Sequence, residues 1–421
     1  MKISLCIICK NEETRIKRCI TNVKEVVDEI IVVDTGSTDN TLNIIKALGV
    51  SLYEIMWEDD FSKARNYAID KATGDWIIFL DADEYFTQES ILLIKQYIRE
   101  AQEKKAEYIL SEILNEGEKG YKESAKVIRI FRRSKDIYYI NTIHERLEKR
   151  KGNLQGLDAS KYLRIIHDGY LNTVVNEKDK MKRNEELLLE QLKENPHNGE
   201  IHFYLVQIYM FYKDFDKVRY HAQEVFKYQN VNLVGAYEVT YTYLLKMCCM
   251  LVENIEVTES YYYKGLKQNS TFPDFDYYMG IYYVNKSIYE KGVYCLEQCL
   301  NKTQTYKGYE ICESVGKIEE ILDILSQCYL MLGDEQKAIT KLIQVLKVNP
   351  YHYAALFSLV NIVQKQESGK AIGEFLGKLY DLAQEKNQLI LLKISKEIKN
   401  QELYSYVWSL ASELVKNAMP N

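Results

Sequence analysis

The N-terminal third of the chain alternates short apolar runs with segments of helical period. Runs at 3–9, 30–33 and 76–80 are apolar at nearly every position, which predicts strands buried on both faces of a sheet. The spacing of apolar residues predicts helices over 16–27, over 42–48 before Gly49, and from near Ser62 to Gly74. Strands alternating with helices indicate an α/β domain with a mostly parallel sheet and right-handed crossovers.

Past about residue 175 the pattern changes to helices only. One apolar spacing recurs in several segments: Leu205, Ile208, Tyr209 and Tyr212; Leu325, Cys328, Tyr329 and Leu332; Met279, Tyr282 and Tyr283; and, after Pro350, Leu356, Leu359, Val360 and Val363. Helix-pairing positions follow the first three sets at Val218, Ala338 and Gly292. Units of about 34 residues are typical of tetratricopeptide repeats, so we predict stacked helical hairpins whose tyrosines are mainly core residues.

These patterns divide the chain into an α/β domain at 1–175, a linking helix at 176–198 and a helical repeat domain at 199–421. A chain of 421 residues is longer than one hydrophobic core usually organises, which agrees with at least two domains.

Composition excludes several classes of function. A net charge of −6 without a basic cluster argues against nucleic-acid binding. No apolar stretch approaches the roughly 18 residues of a membrane helix, and the apolar N-terminus meets Lys10-Asn11-Glu12 without a cleavage site, so we expect a cytoplasmic protein. The nine cysteines lack a disulfide framework. Cys6 and Cys9 lie on opposite sides of a strand, and a zinc or redox site there is not expected.

Two carboxylates, Asp81 and Asp83, follow the third predicted strand. In an extended chain residues i and i+2 point the same way, so both side chains can face one hard cation. Ligands of open α/β sheets bind beyond the carboxyl ends of the strands. The arrangement suits a metal that holds a diphosphate, although Asp-x-Asp alone occurs by chance in many chains.

Four motifs in chain order make the interpretation specific: Cys9-Lys10-Asn11-Glu12, Val33-Asp34-Thr35-Gly36-Ser37-Thr38-Asp39, Asp60-Phe61-Ser62-Lys63-Ala64-Arg65-Asn66 and Asp81-Ala82-Asp83. Together they resemble family 2 glycosyltransferases, which have the Rossmann-like GT-A fold. Later pieces resemble a bacterial branch in which tetratricopeptide-like helices follow the catalytic domain: Ile143-His144-Glu145, Ile166-His167-Asp168-Gly169-Tyr170, Lys180 and Arg183-Asn184. Within that branch the chain is similar to the glycocin S-glycosyltransferases of the sublancin and thurandacin type.

The resemblance implies an inverting, metal-dependent transfer from a UDP-sugar, with UDP-glucose expected. Asp83 is then a direct metal ligand, Asp81 contacts the ribose or reaches the metal through water, and His167 completes the site. A nitrogen ligand favours Mn²⁺, and Mg²⁺ remains open. A core or surface role is the alternative for His167.

The resemblance also implies a nucleotide pocket. Asp34 would accept the uracil imide proton, with backbone groups of Ile8, Cys9 and Asn11 along the other edge; a turn or capping role is the alternative for Asp34. Arg65 would brace the pocket, unless it is a solvated helix charge. Lys180 and Arg183 would close over the diphosphate. The alternative is that both are exposed charges on a helix. The motif residues Glu12, Asp60 and Ala82 complete the expected donor-binding set.

An inverting transfer usually needs a general base beside the acceptor nucleophile. We choose Glu145 for this role and keep His144 as the second candidate. The alternative is that the two residues form a surface ion pair.

Three functions follow from these observations. The first is glycosylation of a peptide or protein side chain, at Cys or Ser of a bacteriocin precursor, with the repeats binding the polypeptide. The second is a glycosyltransferase for cell-surface polysaccharide or a lipid carrier, whose repeats dock partner proteins. The third, a catalytically inactive scaffold, conflicts with intact Asp81, Asp83, Glu145 and His167. The sequence leaves open the sugar, the acceptor, the number of sugars and the oligomeric state, including a homodimer.

Overall fold

The computed structural model describes residues 1–117, 120–168, 174–228, 230–306 and 312–418. The described chain divides into two compact units, Met1–Ile201 and His202–Asn421. The predicted boundaries after 175 and 198 stay predictions. No helix in the described ranges combines the length and apolar character needed to cross a bilayer.

The N-terminal unit begins with the predicted alternation of strands and helices. Its elements are β1 Ile3–Cys9, α1 Ile16–Val23, β2 Glu29–Asp34, α2 Thr41–Ala47, β3 Ser51–Glu54, α3 Phe61–Lys71 and β4 Trp76–Asp81. The four strands pair in parallel in the order β3, β2, β1, β4. The prediction of an α/β fold with a mostly parallel sheet is therefore confirmed. The sequence analysis missed β3, an edge strand whose side chains are all partly or fully exposed.

The rest of this unit extends the sheet with strands of both directions. Its elements are β5 Glu84–Phe86, α4 Gln88–Glu103, β6 Tyr108–Gly117, β7 Gly120–Arg132, β8 Ile137–Ile140, β9 Arg146–Lys149, β10 Gly156–Asp158, β11 Arg164–His167 and α5 Val174–Glu194. Beyond β4 the order is β7, β6, β11, β5, with β4–β7, β6–β7 and β11–β5 antiparallel. This order brings β11 and β6 to the edge of the sheet where β4 ends.

β1, β2 and β4 lie inside the sheet because they are apolar at nearly every position. Their central residues are almost completely inaccessible to solvent. Apolar side chains pack on both faces, with α1 and α4 on one face and α3 on the other. Neighbouring strands satisfy the backbone hydrogen bonds of these strands. The polar side chains that follow each strand can therefore face the carboxyl edge of the sheet.

The C-terminal unit is entirely helical in its described residues. Its elements, with the unit boundary inside the first, are α6 Gly199–Tyr212, α7 Phe215–Lys227, α8 Ala236–Leu251, α9 Ile255–Gln268, α10 Pro273–Asn285, α11 Tyr289–Thr305, α12 Ile318–Met331, α13 Glu335–Val348, α14 Tyr353–Val363, α15 Gly369–Leu376, α16 Glu385–Glu397, α17 Gln401–Leu410 and α18 Glu413–Ala418. The recurring apolar sets fall on α6, α10, α12 and α14, as predicted, except that Leu332 lies one residue beyond the end of α12. Val218, Gly292 and Ala338 are buried on the helices that follow.

Buried tyrosines in this unit are paired with carboxylates of neighbouring helices. Tyr262 donates to Asp276 over 2.7 Å, Tyr277 donates to Glu320 over 2.7 Å, and Tyr283 donates to Glu259 over 2.6 Å. Each pair satisfies a hydroxyl that burial would otherwise leave without a partner. These tyrosines therefore act in packing between hairpins.

The ends of several helices in this unit adopt the left-handed conformation. Gly333 follows α12 with φ 78°, whereas the equivalent position after α8 is the β-branched Val252 with φ 49°. A left-handed conformation strains a residue that carries a Cβ, and Val252 is 48 % exposed, so little burial compensates the strain.

Val252→Gly should raise the free energy of unfolding by about 0.5–1 kcal/mol, because relief of strain outweighs the entropy cost of glycine. The reverse change, Gly333→Val, is the matched control and should lower it by roughly 1–2 kcal/mol. Denaturant unfolding monitored by circular dichroism measures both. Destabilisation by Val252→Gly would contradict this account.

Candidate active site

The carboxyl ends of β1, β2 and β4 bring several predicted site residues to one edge of the sheet. Asp34 is the last residue of β2 and Asp81 the last residue of β4. In the sheet register Ile8 lies opposite Asp81, and Cys9 lies opposite Asp34. His167 ends β11 and lies opposite Glu84 of β5.

Asp81 lies between two arginines, the buried Arg65 and the half-buried Arg129. Arg65 of α3 donates from Nη2 to Asp81 Oδ1 over 2.8 Å, and Arg129 of β7 donates from Nη2 to Asp81 Oδ2 over 2.9 Å. Each arginine also binds a second carboxylate. Arg65 Nε donates to Glu145 Oε1 over 2.7 Å, and Arg129 donates from Nε and Nη2 to the two oxygens of Glu84 over 2.7 and 2.6 Å. We call this series, Glu145–Arg65–Asp81–Arg129–Glu84, the charged chain.

The charged chain shifts the protonation of its own members. Burial acts to raise the pKa of Asp81, but the charges of Arg65 and Arg129 outweigh burial and lower it. Burial raises the pKa of Glu84 against the opposing charge of Arg129, and nearby Asp81 adds to the rise. Three carboxylates against two guanidinium groups give one net negative charge when all are ionised. A buried group of this kind is stable only with its partners in place.

Aromatic rings enclose the Arg65 end of the charged chain. The guanidinium carbon of Arg65 lies 4.7 Å from the ring centre of Phe79 and 5.3 Å from that of Tyr139. The Arg65 residue is only 4 % exposed. Arg65 is thus a buried cation held by two carboxylates and two rings, which excludes the alternative of a solvated helix charge.

Asp83 and His167 form a second group at the same edge. His167 Nε2 lies 3.1 Å from Asp83 Oδ2, and His167 Nδ1 lies 2.9 Å from Asn115 Oδ1. Both side chains retain about a fifth of their surface exposed, 22 % for Asp83 and 20 % for His167. Burial acts to lower the pKa of His167, but the hydrogen bond with Asp83 and its charge raise the pKa overall.

The donor set at Asp83 and His167 fits a small divalent cation. Two neighbouring ligands of an octahedral site with bonds of about 2.1 Å lie about 3.0 Å apart, close to the separation of the two side chains. Within the described ranges, no group of three or more His, Cys, Asp and Glu side chains is arranged as a metal cage. A cation at this pair would take its remaining ligands from water and phosphate oxygens, as Mg²⁺ usually does.

Asp34 holds the turn that follows β2. Its Oδ1 accepts from the backbone nitrogens of Gly36 and Ser37, each over 2.8 Å, and its Oδ2 accepts from the Ser37 hydroxyl. The thiol of Cys9 lies 3.6 Å from Asp34 Oδ2. The observed contacts are those of a turn, and the contact between Asp34 and a uracil ring stays a prediction.

The loops after β1 and β2 are tied to each other. Asn11 N donates to Ser37 Oγ over 2.8 Å, and Asn11 Oδ1 accepts from Thr38 N over 2.8 Å. Glu12 N donates to Thr41 Oγ1 over 2.7 Å. Burial and then the charge of Asp83 raise the pKa of the Glu12 carboxylate. These hydrogen bonds fix the backbone of both loops along one side of the predicted nucleotide pocket.

The remaining predicted residues lie around the start of α3 and along α5. Asp60 caps α3 by accepting from Lys63 N over 2.9 Å. Arg183 lies 5.4 Å from the ring centre of Phe61. Desolvation and the charge of Lys180 lower the pKa of His144 to about 4, although His144 reaches the surface.

Ala82 is 5 % exposed and packs into the core.

The structure brings together Arg65, Asp81, Asp83, Glu145 and His167, and places Lys180 near His144. Gly169 and Tyr170 of the predicted motif lie outside the described residues.

Sequence reasoning missed Glu84, Asn115 and Arg129. Glu84 follows Asp81 by only three residues, and this closeness to the Asp81–Asp83 motif could have indicated a role at the site. Asn115 and Arg129 lie on β6 and β7, and only the pairing of those strands with β11 and β4 brings them to the site.

A cavity of about 720 Å³ lies on the outer side of α3, within the N-terminal unit. Its walls include Asn66, Tyr138, Thr142 and Asn195, and it does not include Asp81 or Asp83. It thus lies apart from Asp81 and Asp83, although Asp60 of the expected donor-binding set forms part of its wall and Thr142 connects it to the segment that carries Glu145.

Comparisons with known protein sequences agree with the motifs. Residues 4–166 match the model of glycosyl transferase family 2. The chain is 40 % identical over 144 residues to a TPR repeat-containing protein of Synechococcus elongatus, covering 34 % of this chain and 35 % of that protein. It is 30 % identical over 233 residues to the SPbeta prophage-derived glycosyltransferase SunS of Bacillus subtilis, covering 55 % of this chain and 54 % of SunS.

The chain thus spans between about a third and a half of the length of these two relatives. Among solved structures, residues 1–349 of S. aureus TarS align with a TM-score of 0.30 and 16 % identity, covering 68 % of this chain and 92 % of that one.

Arg129→Met should destabilise the N-terminal unit by about 3–5 kcal/mol, because it leaves Glu84 buried without its cation. Asp81→Asn should cost only about 1 kcal/mol, since Arg65 keeps Glu145 and Arg129 keeps Glu84. Thermal and denaturant unfolding of the two variants compares these costs. Equal destabilisation would mean that the charged chain does not determine the stability of this edge.

Proposed function

We propose that the protein is an inverting glycosyltransferase that transfers a hexose from a UDP-sugar, with UDP-glucose as the expected donor. The observation that carries this proposal is the Asp83–His167 pair, 3.1 Å apart at the carboxyl edge of the sheet, in the unit that carries the match to glycosyl transferase family 2. The motif resemblance to glycocin S-glycosyltransferases and the identity to SunS over half the chain support a peptide acceptor, with Cys preferred over Ser.

Asp83 and His167 are the residues that would hold Mn²⁺ or Mg²⁺. The cation would neutralise the diphosphate as it leaves the sugar. Both side chains are partly exposed, so phosphate oxygens and water have access to the pair. Asp81 is already neutralised by Arg65 and Arg129, which favours a positioning or ribose-binding role over direct metal binding.

The tied loops after β1 and β2 would bind the nucleoside. Their hydrogen bonds fix the backbone near Cys9, Asn11 and Asp34 before any ligand arrives. A pocket that is ordered in advance loses less conformational entropy on binding.

Glu145 is the proposed general base. Arg65 holds its Oε1, which fixes the direction of the carboxylate, and the side chain is 15 % exposed. Desolvation lowers the pKa of His144 to about 4, which keeps the imidazole neutral but makes it a weak base. Glu145 remains the first choice because the charged chain orients it at the edge that carries Asp83.

The cavity on the outer side of α3 provides a route for the acceptor. Thr142 forms part of its wall and lies three residues before Glu145. We propose that an extended polypeptide enters from this side and presents its nucleophile to Glu145. The proposed reaction is a single displacement that forms the glycosidic bond, transfers the acceptor proton to Glu145 and releases UDP.

The metal site is tested by calorimetric titration of UDP in the presence and absence of Mn²⁺. We expect tight UDP binding only with Mn²⁺, and Asp83→Asn should abolish the metal-dependent part. Asp75→Asn is the matched control, because Asp75 lies just before β4, at the opposite edge of the sheet, and its side chain is 63 % exposed. Metal-independent UDP binding in the unmodified protein would contradict the proposed site.

The base is tested by transfer of hexose to a Cys-containing peptide and to its Cys→Ser counterpart, followed by mass spectrometry. Glu145→Gln keeps an oxygen for Arg65 but cannot accept the proton, so it should retain UDP binding and lose roughly 10²–10⁴ in rate. His144→Asn should retain most activity. Full turnover by Glu145→Gln would remove Glu145 from the mechanism.

A further inference from the structure

The pairing of β6 with β11 places Asn115 directly beside His167. The two residues are cross-strand partners in parallel register, so their side chains lie on the same face of the sheet. His167 Nδ1 lies 2.9 Å from Asn115 Oδ1, while its Nε2 faces Asp83 on the other side. The imidazole is therefore fixed at both nitrogens.

We propose that Asn115 is a positioning residue that directs the Nε2 lone pair of His167 at the cation. This inference rests on the proposed function, because it assigns a role in the metal site at Asp83 and His167. Asn115 itself does not touch the cation or the sugar nucleotide in this proposal.

The chemistry of the two side chains supports this role. The Oδ1 of an asparagine accepts hydrogen bonds only, so a proton must lie on His167 Nδ1 when the two atoms are in contact. A neutral imidazole that carries its proton on Nδ1 has its lone pair on Nε2. In the metal-free protein a proton on Nε2 joins the imidazole to the Asp83 oxygen across 3.1 Å, and a bound cation would take the place of that proton while Nδ1–H stays on Asn115.

Metal-binding histidines usually donate their second ring N–H to a fixed acceptor, and loss of that acceptor typically costs 10- to 100-fold in metal affinity. Asn115 supplies this acceptor from a strand rather than from a loop. Because β6 and β11 are paired in a fixed register, the sheet holds Asn115 in place, and Asn115 in turn fixes the orientation of the His167 ring.

The matched variants are Asn115→Leu, which has the same branching at Cγ but no acceptor, and Asn115→Asp, which keeps an acceptor. Glu112→Gln is the control, because Glu112 pairs with Arg164 across the same two strands over 3.0 Å without touching His167. Circular dichroism confirms that each variant is folded.

The first measurement is Mn²⁺ affinity in the presence of UDP, followed by electron paramagnetic resonance of free Mn²⁺. Asn115→Leu should weaken Mn²⁺ binding 10- to 100-fold, Asn115→Asp should stay within a few-fold of the unmodified protein, and Glu112→Gln should not change. Unchanged affinity in Asn115→Leu would overturn the proposal.

The second measurement needs no metal. At pH 6, nitrogen-15 NMR of the metal-free protein should show a hydrogen-bonded Nδ1–H for His167, assigned by its loss in His167→Gln. Asn115→Asp should keep this signal and Asn115→Leu should lose it. If the unmodified protein binds no Mn²⁺ with UDP, the proposed function fails; if the Nδ1–H signal survives in Asn115→Leu, the role of Asn115 fails.

Discussion

The ion pairs that Arg65 and Arg129 make with Asp81, Glu145 and Glu84 are the constraint on which the edge of this sheet depends. Arg65 comes from α3 and Arg129 from β7, so one carboxylate at the end of β4 ties a helix and a strand to the centre of the sheet. Glu145 and Glu84 complete the charge balance. Because loss of an arginine would leave a carboxylate without its cation, the two guanidinium groups determine where the carboxylates lie.

This constraint separates the roles of the two aspartates that the sequence places side by side. The expectation was that Asp81 and Asp83 face one cation together, as residues i and i+2 of an extended strand do. In the structure β4 ends at Asp81, and the two carboxylates have different partners: arginines for Asp81, His167 for Asp83. Both oxygens of Asp81 are therefore already bound by guanidinium groups, while the Asp83–His167 pair has no arginine partner and is exposed enough for a ligand to reach it.

The fold was predictable where burial is uniform, and the site was predictable where its residues follow a strand. β1, β2 and β4 are buried along their whole length, so their apolar runs stand out, whereas the exposed edge strand β3 has no such run. Glu84, Asn115 and Arg129 were missed for a different reason. Pairing across long sequence separations brings Asn115 and Arg129 to the site, and no local pattern specifies that register.

Several residues at the same edge have strained backbone conformations, which agrees with a site whose geometry is fixed before a ligand binds. Asn11, Asp59, Asn141 and His144 all have positive φ, and each borders the charged chain, the cavity or the tied loops. Such conformations typically cost on the order of 1–3 kcal/mol each and persist only where surrounding contacts impose them. Asn11 shows how this is done, because its hydrogen bonds to Ser37 and Thr38 also tie two loops together. The interactions that stabilise the strained loops are thus the ones that shape the predicted nucleotide pocket.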